Sequence, residues 1–193
     1  MNRFEIKRKT LETDIHIVID FDKKYEATII TEIGFINHML NTFAKYLDVS
    51  FYIKATGDLN IDNHHLIEDI AIVLGQIINK KINEDKNIKR FGNTIMPMDD
   101  SLILVALDLS GRSFLNYDVN IVSNTVGNIE TEMFKEMFLK FTNNAKMNLH
   151  IKMLNGENGH HIIENIFKAL AVSLKQAFIK NDSILSTKGS LGE

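Results

Sequence analysis

Apolar residues recur at helical spacing in two stretches of the chain, and the stretches match at an offset of 96 residues: Ile67 with Ile163, Ile70 with Ile166, Ala71 with Phe167, Leu74 with Leu170 and Ile78 with Leu174. Such a stripe marks the buried face of a helix, so the repeat predicts two equivalent helices in register. Cap-type residues stand before each, Asp62-Asn63 and Asn158-Gly159. Ahead of each helix lies an alternating segment, 49–55 and 146–153, with the period of two of a half-buried strand. Farther back come helical stretches at 35–47 and 130–143. Before those lie paired strand-like runs, 14–20 with 25–30 and 102–109 with 113–119. Each half reads strand, strand, helix, strand, helix.

Two halves, 1–92 and 93–193, thus form half-repeats, each with about three or four strands and two helices. Each half alone is near the lower size for a well-buried core, and no Pro/Gly/Ser-rich linker divides them. The expected fold is α+β, internally duplicated, with the helices layered between two β-sheets. A hydrophobic content of 45% supports a real core. The net charge of −3, with Lys and Arg scattered, argues against nucleic-acid binding. No segment has the length and apolarity of a membrane span or leader, so the expected location is the cytoplasm. With no cysteine, any metal must be held by imidazole and carboxylate.

Each repeated helix opens on the same cluster: His64-His65-Leu66-Ile67-Glu68 returns as His160-His161-Ile162-Ile163-Glu164. On a helix, residues i and i+4 share a face, so His64 with Glu68, and His160 with Glu164, can each grip a cation from one side. The second histidine of each pair, His65 or His161, points about 100° away and is expected to reach a different ion. Two ions shared between clusters, within the chain or across a subunit contact, follow from that geometry. A lone histidine is more often a surface or satisfied core residue, but adjacent histidines at a helix start, written twice, have no packing rationale. His38 and His150 are natural additional ligands, whereas His16 reads as a surface residue. Six histidines and two glutamates suit Mn²⁺, with Fe²⁺, Co²⁺ or Zn²⁺ as competitors.

Arg90, Arg112 and Lys188 are candidate anion-binding residues by their settings. Arg90 precedes Phe91-Gly92 at the boundary of the halves, and Arg112 follows Gly111 in an expected hairpin turn. Lys188 lies in Ser186-Thr187-Lys188-Gly189, a donor-rich stretch able to wrap an anion, although such a composition is more often simply disordered.

Several motifs, in order along nearly the whole chain, resemble one family, the imidazoleglycerol-phosphate dehydratases of histidine biosynthesis. They are Gly34-Phe35-Ile36-Asn37-His38-Met39-Leu40, Gly57-Asp58-Leu59-Asn60-Ile61-Asp62-Asn63-His64-His65 through Glu68-Asp69, Arg90-Phe91-Gly92, Pro97-Met98-Asp99, Asp108-Leu109-Ser110-Gly111-Arg112, Leu149-His150-Ile151, the second HHxxE cluster, and Ser186-Thr187-Lys188-Gly189. The resemblance implies a di-manganese lyase, with two Mn²⁺ per active site and sites shared between neighbours in a homo-oligomer of 24 subunits. By position it makes His38, His64, His65, Glu68, His150, His160, His161 and Glu164 the metal ligands. It assigns phosphate binding to Arg90, Arg112, Ser186 and Lys188, and substrate contact to Glu12. Asn37 and Asn63 stand where the family usually has Asp, and Leu185 where it has Pro. The expected consequences are altered tuning of the ligands and a looser phosphate-binding tail.

The reaction the family implies is loss of water from imidazoleglycerol phosphate, giving imidazoleacetol phosphate. No carbonyl acidifies the C–H bond that must break, so the imidazole ring has to do the work, its electrons expelling the hydroxyl on the adjacent carbon, with the metals as Lewis acids and template. Glu12 is the first candidate for the base and Glu164 the second. A two-metal hydrolase would also want His, carboxylate and a phosphate clamp, but usually relies on bridging Asp residues at strand ends. A metal-storage assembly would leave Arg90, Arg112 and Lys188 without a common target.

Overall fold

The computed structural model describes residues 2–85 and 87–182, so Ser186 and Lys188, and Leu185 with them, lie outside the described residues. The first half runs β1 (Arg3–Lys9), β2 (Thr13–Asp20), β3 (Glu26–Ile30), α1 (Gly34–Leu47), β4 (Ser50–Gly57) and α2 (His64–Glu84). The second runs β5 (Phe91–Met98), β6 (Ser101–Asp108), β7 (Phe114–Asp118), a short hairpin of β8 (Thr125–Val126) and β9 (Ile129–Glu130), then α3 (Thr131–Ala145), β10 (Asn148–Asn155) and α4 (Gly159–Ala177). Each half holds one four-stranded sheet, ordered β1-β2-β4-β3 and β5-β6-β10-β7. The helices lie between the sheets, α2 against α3 and α1 against α4, and their apolar stripes merge with the inner sheet faces into one core.

The pairing corrects one expectation. The runs expected as pairs, β2 with β3 and β6 with β7, are not neighbours. In each sheet the strand that follows the first helix inserts between them, antiparallel to the earlier strand and parallel to the later one. Gly111-Arg112 therefore lies in a connection that leaves a gap one strand wide, not in a tight hairpin. Each sheet also gains an edge strand, β1 or β5. β1 alternates charged with apolar residues as far as Lys7 and ends on Arg8-Lys9, and β5 carries Pro97, both of which an edge tolerates because one side of the strand needs no partner. Gly92 in β5 is required by contact: a Cβ there would stand 1.9 Å from the Ser173 carbonyl oxygen of α4.

Candidate active site

Both HHxxE clusters open their helices, as the periodicity predicts. The Asn158 side chain accepts the His160 and His161 N–H groups, whereas Asp62, not Asn63, accepts the His64 N–H at 2.7 Å. In each cluster the first histidine and the glutamate share a face, with Nε2 of His64 and of His160 both 3.3 Å from their glutamate's Oε2. α1 brings His38 to the second cluster across the boundary between the halves, its Nε2 3.3 Å from Glu164 Oε2. One ligand atom from each of His38, His160 and Glu164 lies within 4.8 Å of the others, a set with the spread and chemistry to hold a divalent ion.

The glutamate divides its oxygens. Oε2 faces both imidazoles, while Oε1 takes Lys168 Nζ at 2.9 Å. Burial alone would raise the Glu164 carboxyl, but the hydrogen bond and charge of Lys168, with His38, outweigh it and hold the group below the ordinary range. Lys168 was missed in the sequence, although its i+4 spacing from Glu164 was the available signal.

The first cluster differs. Counting back from the left-handed residues that end the helices, Asp48 and Lys146, the place of His38 on α1 is taken by Glu136 on α3. Lys140 lies between, 3.2 Å from Glu136 and 3.3 Å from Glu68, and both carboxylates raise its pKa. Among the described residues, no third imidazole joins His64 and Glu68. His150 does not supply it: Leu149 and Ile151 of β10 are buried, so His150 faces outward from the sheet, beside the Phe114 ring.

The second histidine of each pair turns away from the first, with ring planes at 76° for His64 and His65 and 82° for His160 and His161. Each gives Nδ1 to a carboxylate the sequence reading did not single out, His65 to Asp58 at 3.0 Å and His161 to Asp100 at 2.6 Å. Such a partner fixes the tautomer and leaves Nε2 as the ligating atom. Asp58 also raises the pKa of His65. Asp100 lies well below the usual carboxylate range, through the Asn158 N–H first, then His161 and the Glu157 N–H. Glu12, at the turn between β1 and β2, is half-exposed with Oε1 3.9 Å from His65 Nε2.

Asn37 and Asn63 bond to backbone, and neither makes a hydrogen bond to a ligand histidine among the described residues. Asn37 accepts from the Thr31 N–H and hydroxyl and donates to the Thr31 carbonyl at 3.0 Å. Asn63 donates to the Asn128 carbonyl at 3.1 Å, tying α2 to the β8–β9 turn. An aspartate could make neither donation. Of the anion candidates, Arg112 is exposed. Arg90 is partly buried, with Nε 2.6 Å and Nη2 3.0 Å from the two oxygens of Asp108, which raises its pKa. His16 pairs with Glu5 on the sheet surface, remote from both clusters in sequence and element.

Fold and site together describe a duplicated α+β enzyme whose histidine and carboxylate groups cluster at helix N-termini. The family model for imidazoleglycerol-phosphate dehydratase matches residues 31–174. The enzyme of that name from Acetivibrio thermocellus is 48% identical over 192 residues, with 98% of each chain covered. The one from Streptococcus sanguinis is 43% identical, covering 99% of this chain and 100% of its own. Among solved structures, that of Pyrococcus furiosus aligns with a TM-score of 0.85 at 41% identity, covering 96% of this chain and 100% of its own. That of Staphylococcus aureus aligns at 0.84 and 35%, covering 93% and 99%. The chain belongs to the imidazoleglycerol-phosphate dehydratase family, hydro-lyases of histidine biosynthesis.

Proposed function

We propose that the chain converts imidazoleglycerol phosphate to imidazoleacetol phosphate and water with two divalent ions per active site, Mn²⁺ by preference, in sites completed by neighbouring copies within a 24-subunit assembly. The observation that carries the metal reading is the convergence of His38, His160 and Glu164. His64 and Glu68 offer the matching pair for the second ion, and His65 and His161 each keep Nε2 for an ion not held by the adjacent histidine. The outward His150 is what supports a shared site, because it can ligate only across a subunit contact. When bound, the ions supply Lewis-acid polarisation and a template for the substrate's imidazole ring.

The chain's own groups then divide the remaining tasks. Glu12 stands beside His65, half-exposed and with no lysine or arginine within ion-pairing distance among the described residues, so its carboxylate is available to accept a proton. Glu164 is already committed at both oxygens and acts as a ligand. Glu12 takes the proton from the carbon next to the one losing hydroxide. The electrons of that C–H bond become the new C=C bond, and the resulting enol tautomerises to the ketone. Arg90 and Arg112, with Ser186 and Lys188 from outside the described residues, orient the phosphate and so the reacting carbon. No helix of the described residues is long and apolar enough to cross a membrane, and on this reading the activity belongs to the cytoplasm.

Incubating purified protein with Mn²⁺ and imidazoleglycerol phosphate, and following the keto product, tests the proposal. Chelator should abolish turnover and added Mn²⁺ restore it. Protein carrying its full metal complement that yields no ketone would overturn the reading.

A further inference from the structure

We infer that the buried Thr13–Asp69 contact is a positioning device that sets Glu12 against His65; this rests on the proposed role of Glu12. Asp69 follows Glu68 on α2 and is 6% exposed, on the side of the helix that packs against the sheet. Its Oδ2 receives both the Thr13 hydroxyl and Arg8 Nη1. Thr13 is itself buried, opens β2, and is the residue directly after Glu12. The turn that carries Glu12 is therefore fastened from beneath to the helix that carries His64, His65 and Glu68.

The fastening extends through the turn. Thr10 Oγ1 accepts the Glu12 N–H at 3.1 Å and the Thr13 N–H at 3.0 Å. The Glu12 carbonyl accepts the Asp58 N–H at 3.1 Å, and the Asp58 carboxylate holds His65 Nδ1. Both backbone polar groups of Glu12 are thus bonded, and its neighbours on either side of the site connect to α2. Only its side chain and Leu11 project outward. A carboxylate on an exposed turn would otherwise sample many positions, and catalysis is sensitive to displacements of about 1 Å.

The second half repeats the device with neutral groups. Asn165 follows Glu164 as Asp69 follows Glu68, and its amide donates to the Met96 carbonyl and to the Ser101 carbonyl and hydroxyl. Ser101 opens β6 as Thr13 opens β2; the residue before it, Asp100, takes His161 Nδ1, as Asp58 takes His65 Nδ1, and Asp99 lies 3.7 Å from His161 Nε2 as Glu12 lies 3.9 Å from His65 Nε2. In both halves, then, the residue after the HHxxE glutamate binds the first residue of the second strand, and the turn just before that strand carries the carboxylate nearest Nε2 of the second histidine.

The test separates link-breaking from link-keeping variants. Thr13→Val keeps the shape and loses the hydroxyl, and Asp69→Ala removes the acceptor. Thr13→Ser and Asp69→Asn keep a hydrogen bond between the two positions. Thr13→Val should lower kcat roughly 10- to 100-fold, with KM, metal content and Tm close to wild type; Asp69→Ala should lower kcat likewise with metal content kept, and should also lower Tm because Arg8 loses its carboxylate partner. Thr13→Ser and Asp69→Asn should restore most of the turnover. In a Glu12→Gln background, Thr13→Val should cause no further loss, because it acts only through Glu12. Thr13→Val and Asp69→Ala enzymes with wild-type kcat would overturn the inference. So would release of metal in either variant, a collapse of Tm in Thr13→Val, or losses that add to those of Glu12→Gln. Wild-type turnover in Glu12→Gln itself would instead overturn the role given to Glu12.

Discussion

Glu164→Gln isolates the charge of the second cluster while keeping its shape. Glu164 supplies the only negative charge among the three converging ligand groups, and its side chain is 12% exposed. Oε2 faces His38 and His160, each at 3.3 Å, and Oε1 bonds Lys168 at 2.9 Å. The amide cannot match both contacts: if its oxygen stays toward Lys168, its NH₂ group faces the imidazoles and turns donors toward the ion's position. Removing one charged member of a partly buried polar set costs about 2–4 kcal/mol. That corresponds to roughly 30- to 1000-fold weaker binding of the ion this cluster holds. Titration calorimetry with Mn²⁺, alongside elemental analysis, should show the saturating ratio falling from about two ions per chain toward about one. The ion held by the first cluster should keep its affinity, since Glu68, His64 and Lys140 are untouched. A Glu164→Gln protein that binds two ions at wild-type affinity would remove Glu164 from the ligand set.

If the outward His150 ligates across a subunit contact as proposed, chelation should shrink the assembled particle in light scattering; an unchanged particle would mean that metal does not join the copies. Arg112→Ala should weaken binding of the phosphorylated substrate by about 1.5–3 kcal/mol with metal content unchanged, and retained affinity would place the clamp elsewhere. Glu12→Gln should keep both ions and lower kcat by roughly 10² or more; a near-normal kcat would exclude Glu12 as the base. Asp48 is held at about 2, against 3.8 for an ordinary aspartate, by Lys24 first, then Lys175 and the Tyr25 N–H. Its folded form binds the proton less tightly than the unfolded chain does. The stabilisation is therefore complete above the unfolded value and is lost as pH falls through about 2. The Tm difference between wild type and Asp48→Asn should hold from neutral pH down to about 5 and close toward pH 2, and a gap that persists at the acid end would contradict the ion-pair origin.

The duplication and the pairing of each first histidine with its glutamate were legible in the sequence, because both depend on the period of one helix and need no long-range information. An i, i+4 pair shares a face wherever the helix goes, and an apolar stripe at 3.6-residue spacing must be buried somewhere. The edge strands were less legible: β1 is interrupted by charges and β5 by Gly92 and Pro97, patterns allowed only because each strand has one unpaired side. Strand order was not legible at all. Nothing local in 14–20 or 25–30 announces that β4 will insert between them, since that choice depends on how the first helix returns the chain to the sheet.

The tertiary structure alone decided which groups meet. His38 and Glu164 are distant in the chain and become neighbours because α1 of one half packs on α4 of the other. Asp58 and Asp100 become partners of His65 and His161 because a strand end and a hairpin turn reach over the helix starts. Glu136 and Lys140 occupy the place by the first cluster that His38 fills at the second, an asymmetry that the matching apolar stripes conceal. The outward face of His150 followed from burial of Leu149 and Ile151 on either side of it. Periodicity along the chain sets which side chains share a face, but which faces oppose one another is set by packing between elements, where the contacts are non-local and the sequence carries no fixed spacing to read.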